Sequence, residues 1–194
     1  MKLKIFNFEA VTSTNDEAIA LIKEKNKKRG YVNALRQTKG RGTHGKNWIS
    51  DKGNLFSSIF FPLEKNYPTF DEFSIINPVL ISEVIKYFCK KQIVNLKFPN
   101  DILVNKKKIC GILQEVITLK NKRFIIIGIG LNIVSSPSLN EKYKATNIFF
   151  ETLKKPHINE IINLIILSYE EFFKNIELYE FNYFKKKSNL MATS

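Results

Sequence analysis

Near the start of the chain, KLKIFNF alternates apolar and polar residues with period two, the pattern of a strand with one buried face. TSTNDEAIALIKEKN then switches to a helical period. Ala18, Leu21 and Ile22 make one apolar stripe, and Thr14 precedes Glu17 at the spacing of a capping box. YVNALRQ predicts a short strand, and NLFSSIFF (54–61) a strong one ended by Pro62. Residues 71–90 predict a buried helix, with Pro78 either kinking it or marking its real start. Four more strands are predicted over QIVNLKF, DILV, KICGILQEVITL and RFIIIGIGLNIV, with NKKK and KNKR as turns between the last three, which makes an antiparallel meander. The aromatic-rich stretch 158–185 predicts helix. Strands that alternate with helices early and cluster later predict an α+β fold, a mixed, largely antiparallel sheet with helices packed on it.

Composition narrows the class. A chain of 194 residues is long enough for one domain with a proper core, and 44% hydrophobic with 25% charged residues is the balance of a globular protein. The net charge of +13 suits an anionic partner, although the Lys, Ile, Asn and Phe bias of AT-rich coding produces the same excess. Cys89 and Cys110 have no metal-type spacing to each other or to His44 and His157, which argues against a disulfide scaffold or a zinc site. No apolar run reaches the roughly 18 residues of a membrane span, and MKLKIFNFEA has no signal-peptide core, so the expected compartment is cytoplasmic with no membrane partner.

Three stretches have the makings of a site. QTKGRGTHGKNW (37–48) sets glycines at 40, 42 and 45 among Arg41 and Lys46, so that backbone N–H groups and fixed charge can meet an anion. It lacks the Gly-Lys-Ser/Thr ending of a P-loop, and its Gly-x-Gly-x-x-Gly spacing is followed by no helical period, so it reads equally as a solvated surface loop. KFPNDILVNKKKICGILQE (97–115) offers Asn100 and Asp101 as polar arms of a rigid turn. Strict alternation puts Lys108 on one face with Cys110, Ile112 and Val116, where a lysine is either paired, held for an anionic ligand, or simply at a hairpin tip. In IIIGIGLNI (125–133), Gly128, Gly130 and Asn132 share a face, leaving either a flat recess for a planar ring beside one amide or merely tight sheet packing.

Taken in order, these residues resemble the catalytic domain of biotin–protein ligases, in the biotin/lipoate ligase superfamily. Five family blocks stand here as Ser13-Thr14-Asn15, Gly40 to Trp48, Lys97 to Asp101, Lys108 to Glu115 and Gly128 to Asn132. The resemblance implies the class II synthetase-like fold of that superfamily. It also implies a two-step reaction, in which ATP activates biotin as biotinyl-5′-AMP and a lysine of a biotin carboxyl carrier domain then takes the biotinyl group. By the same resemblance, Lys108 and Arg41 are the catalytic cations. Ser13, Thr14, Asn15, Gln37, Arg41, Gly42, Thr43, Lys108 and Gly111 bind biotin, and Arg41, Lys46, Trp48, Asn100, Lys108 and Asn132 handle ATP. Mg²⁺ is expected with the nucleotide, its ligands unassigned, and a homodimer is possible. A lipoate or octanoate ligase of the same superfamily is the alternative. A nucleic-acid-binding module is disfavoured because the aromatics lie in apolar runs rather than among basic residues.

Departures from the pattern are informative. Thr43 stands where the family has its second loop arginine, Lys46 replaces the third, and Phe98 replaces a tryptophan. The expected organisation is a catalytic domain over 1–185 and a tail over 186–194, with the family's small C-terminal β-barrel absent or curtailed. The few residues before Ser13 leave no room for a helix-turn-helix, so specific DNA binding is not expected.

Overall fold

The computed structural model of the chain describes residues 1–137 and 144–193. Strand β1 (Ile5–Val11) leads into helix α1 (Thr14–Lys23) and strand β2 (Gly30–Gln37), which pairs parallel with β1. After the glycine loop come β3 (Leu55–Pro62) and α2 (Phe70–Phe88). The meander follows as β4 (Val94–Lys97), β5 (Asp101–Val104), β6 (Lys107–Leu119) and β7 (Lys122–Leu131). Three helices close the chain, α3 (Ile148–Thr152), α4 (Ile158–Lys174) and α5 (Phe181–Met191). The strands form one sheet in the order β1-β2-β3-β7-β6-β5-β4, in which only the β1–β2 pair is parallel.

Several boundaries move for local reasons. Ser13, not Thr14, caps α1: the Ser13 side chain accepts from Asn15 N–H, while Thr14 sits inside the first turn with its hydroxyl turned to Gln37. Pro78 lies within α2, which starts at a complete capping box between Thr69 and Glu72. The two meander turns place Asn105 and Lys106, then Lys120 and Asn121, at positive φ, the conformation of tight hairpin turns. The C-terminal helical stretch breaks after Lys174, and α5 continues past residue 185 to Met191, where Ala192 bridges to Leu96 in β4. Among the described residues no helix is long and apolar enough to cross a membrane.

The two faces of the sheet are used differently. One face carries Tyr31, Ile59, Phe61, Ile125, Ile127 and Ile129 into the main core under α2, α4 and α5. A buried polar chain ties that layer together: Tyr169 Oη donates to Asn77 Oδ1, Asn77 Nδ2 to Gln114 Oε1, and Gln114 Nε2 to the Phe70 carbonyl. On the opposite face, Val32, Phe60, Phe124 and Ile126 pack with Ala18, Leu21 and Ile22 of α1. Helix α1 is too short to cover the whole of that face. Beyond its N-terminus the inward positions change from large apolar residues to Ser58, Gly128, Gly130 and Gly111, paired across β3, β7 and β6. That uncovered half is where the site lies.

Candidate active site

The bare half of the sheet is the floor of a cavity of about 600 Å³. Its flatness is sterically required. A Cβ on Gly111 would come within 2.6 Å of the Trp48 ring, a Cβ on Gly128 within 2.6 Å of Asn15, and one on Gly130 would overlap the same indole. The planar ring that lies over the recess is thus the chain's own Trp48. Asn132 stands just past the end of β7 and donates from Nδ2 to the Thr146 carbonyl at 3.0 Å. Trp48 Nε1 is shielded from solvent and has no hydrogen-bond partner among the described residues. Because Trp48 is the chain's one tryptophan, its emission reports on this packing. Gly130→Ala is expected to push the indole off the floor and red-shift the emission; an unchanged spectrum would contradict this.

Lys108 reaches the cavity by a route that strict alternation misses. Between β5 and β6 the register slips: Ile102 pairs with Cys110 but Leu103 pairs with Lys108, leaving Ile109 as an extra residue. Ile109 and Cys110 both enter the core, and Lys108 swings to the face of Gly111 and Leu113 instead of joining Cys110 and Ile112. The returning segment pins the bulge, with Lys108 N–H donating to the Lys144 carbonyl and Thr146 N–H to the Lys108 carbonyl. Lys108 Nζ sits 2.6 Å from Asp101 Oδ1 and 5.3 Å from the Trp48 ring centre. The contact with Asp101 is a charge contact off the hydrogen-bond directions, so Asp101 Oδ1 has no aligned donor. The Cys110 thiol behind it is driven well up by burial, the Lys108 charge offsetting only part, and serves as a small hydrophobe.

Behind Lys108 a carboxylate braces the segment. Glu151 accepts from Thr146 Oγ1 at 2.6 Å and Asn105 Nδ2 at 2.7 Å, with Lys107 Nζ at 3.4 Å. Burial alone would raise the Glu151 carboxyl, but the hydrogen bonds from Thr146 and Asn105 and the Lys107 charge together hold it below the ordinary carboxylate value. A carboxyl lowered on folding adds stability that is present above its unfolded pKa, about 4.3. That stability is lost as the pH falls through the folded value. Glu151→Gln is therefore expected to cost about 1–2 kcal/mol of unfolding free energy at neutral pH. It should also flatten the decline below about pH 5. Urea unfolding across that range checks it, and parallel curves would refute it.

The loop over the cavity is a small tongue, not an extended strand. Gly42 N–H donates to the Lys46 carbonyl and Trp48 N–H to the Gly40 carbonyl, and Arg41 bridges to Asn47. His44 and Gly45 at its tip have positive φ, which Gly45 takes without strain. Arg41 leaves the tongue toward two acids, its Nη2 lying 2.9 Å from both Asp16 Oδ1 and Glu115 Oε2. At the far end, Gln37 Oε1 accepts from Thr14 N–H and from the Thr14 hydroxyl, and Gln37 Nε2 donates to Ser50 Oγ. Ser58 Oγ is within reach of both Thr14 Oγ1 and Asn15 Oδ1, and its single proton can serve only one of them.

Residues 7–132 match the biotin/lipoate A/B protein ligase family. The chain belongs to this family. A biotin–[acetyl-CoA-carboxylase] ligase from Paracoccus denitrificans is 27% identical over 127 residues, covering 64% of this chain and 52% of that protein. Biotin protein ligase from Aquifex aeolicus, solved in complex with biotin and ATP, superposes with a TM-score of 0.81 at 28% identity, covering 97% of this chain and 78% of that one. The Leishmania major enzyme, solved with biotinyl-5-AMP, gives 0.79 at 26% identity, covering 98% and 81%. The chain spans about half the length of the curated relatives it matches.

In this family member all the residues given a catalytic or binding role from the sequence line one cavity, although Gly40 and Gly45 of the loop do not. Ser13, Thr14, Asn15 and Gln37 are at one end, Arg41, Gly42, Thr43, Lys46 and Trp48 come from the tongue, and Asn100, Lys108, Gly111 and Asn132 line the other side. Asn100 is less of a free arm than the turn suggested: its Nδ2 donates to the Ile112 carbonyl and its own carbonyl accepts from Ile112 N–H. Sequence reasoning offered Asp101 only as a polar arm of the turn, with no role toward Lys108, and passed over Asp16, Glu115 and Ser58 as site residues. Alternation on β6 with Gly111 could have signalled Glu115; the others needed the fold.

Proposed function

We propose that the chain carries out biotin–protein ligation, activating biotin with ATP and transferring it to a biotin carboxyl carrier domain. The carrying observation is Lys108 Nζ, held by Asp101 at 2.6 Å over a floor that glycines keep flat. A biotin carboxylate and the α-phosphate of ATP are both anionic, so their approach needs a fixed cation at the crossing point. A carboxylate oxygen forms the new bond to phosphorus as the bond to pyrophosphate breaks. Lys108 offsets the charge that gathers on the phosphoryl oxygens, and Arg41 reaches the same region from the tongue. The carrier lysine amine then attacks the acyl carbon, AMP leaves, and the amine sheds its proton. The tongue covers the cavity and limits water reaching the anhydride.

The polar cluster of Thr14, Asn15, Gln37 and Ser58 suits an uncharged ring that offers both donors and acceptors, such as the biotin ureido group. Trp48, with an unpaired Nε1 donor, suits the nucleotide end. Mg²⁺ fits as part of the nucleotide substrate. Asp101 is the one carboxylate lining the cavity among the described residues, and no cluster of three His, Cys, Asp or Glu that could hold a metal exists among them. The Paracoccus relative's name and the complexes of the Aquifex and Leishmania enzymes support this assignment over lipoate.

The test is incubation with MgATP, a biotin carrier domain, and biotin or lipoate, read as a mass shift on the carrier. Biotin is expected to be attached. A shift with lipoate alone would reassign the acid, and no shift with either would reject the ligase reading.

A further inference from the structure

We propose that Glu115, with Asp16, is a positioning residue that holds Arg41 over the cavity and couples it to Asn15. This rests on the ligase reading only for the roles of Asn15 and Arg41, not for the coupling itself. The two acids come from separate rigid elements. Asp16 lies in the first turn of α1, and Glu115 lies on β6 opposite Ile126 of β7, on the floor side with Gly111 and Leu113. Arg41 comes from the tongue, and its two ion pairs reach out of it to α1 and β6. The pair therefore ties the tongue to the scaffold.

Two details make this more than a surface ion pair. Both contacts fall on Nη2, so they leave the Nε and Nη1 donors of the planar guanidinium out of the tie and open to a phosphate. Glu115 Oε2 is also the acceptor for Asn15 Nδ2 at 2.6 Å, as well as for Arg41 at 2.9 Å. One carboxylate oxygen thus joins the polar end of the cavity to the cation of the tongue. A ligand that draws on Asn15 shifts the bond that Glu115 shares with Arg41, so occupancy at one end is felt at the other. The three side chains are about a third to two-fifths exposed, which keeps each tie in the range of half-screened ion pairs.

The tongue can be read without substrate by limited trypsinolysis of the full chain, following cleavage after Lys46. Glu115→Gln and Asp16→Asn are each expected to speed that cleavage about two- to fivefold, the factor that such pairs support. Cleavage after Lys185 and the thermal midpoint should stay at wild-type values. Arg41→Ala should give the same acceleration, and Glu115→Gln added to it should give no more, because the glutamate acts through the arginine. Wild-type cleavage in Glu115→Gln, or accelerations that multiply in the double variant, would overturn the proposal. Where the chain charges a carrier, Glu115→Gln should also raise the KM for ATP with kcat changed less; an unchanged KM would overturn the coupling. A chain that charges no carrier yet shows the proteolytic pattern would reject the ligase reading and leave this tie standing.

Discussion

Lys108→Ala is expected to slow adenylate formation by about 10²–10³-fold, the loss typical of removing one preorganised charge-stabilising group. Lys108 has no substitute in place. Arg41 is engaged by Asp16 and Glu115, and Asp101, left facing the cavity, would add a negative charge where the reaction already gathers several. The variant should fold, because Lys108 is partly exposed and the bulge that carries it is held by backbone bonds to Lys144 and Thr146. ATP–pyrophosphate exchange in the presence of biotin measures the step directly, and a rate within tenfold of wild type would remove Lys108 from the centre of the mechanism. The double variant Lys108→Ala, Asp101→Asn should recover part of the loss, since it removes the stranded carboxylate.

Thr43→Arg is expected to lengthen the life of bound biotinyl-5′-AMP by about tenfold or more, the equivalent of one hydrogen bond to a charged group. Thr43 opens the short turn at the tip of the tongue and lines the cavity, at the place of the second loop arginine in the family pattern. A threonine there gives one short hydroxyl, whereas an arginine would bring a second fork of donors to the phosphate. Preloaded adenylate, chased with unlabelled substrates and followed by its release, gives the half-life. Equal half-lives in the two chains would show that the tongue retains its ligand without that contact.

Much of this architecture can be read from the chain. The meander over residues 94–131, its tight turns and the buried α2 follow from apolar periodicity and turn chemistry, which are local. The site residues come from blocks scattered over more than a hundred positions, legible through a family resemblance and not through any one block. What stayed hidden was non-local. The parallel pairing of β1 with β2, the short α3, and the break and extension of the C-terminal helices depend on which surfaces meet. Alternation gave the wrong face for Lys108 because a bulge leaves no mark in apolar spacing: Ile109 and Cys110 are both apolar, and either could be the inward residue. The flat recess was open to a planar ring or to tight packing; that the ring over it is Trp48, and that Asn132 turns to the Thr146 carbonyl instead of the ring edge, depends on the paths of the tongue and the returning segment.

The extra residue at Ile109 makes the site sensitive to counting rather than to chemistry. If β6 kept Ile109 but paired with β5 in unbroken alternation, Lys108 would fall on the face of Cys110 and Ile112 and turn toward the core, although every functional side chain would remain in the chain. Inserting one residue between Lys108 and Gly111 would lengthen the bulge and carry the ammonium away from Asp101. Substitutions at 109 that stay apolar should be tolerated, while single-residue insertions there should not. Insertions among descendants of this sequence should therefore gather in the outer halves of β6 and β7, around the turn at Lys120 and Asn121, and avoid the stretch from Lys108 to Gly111.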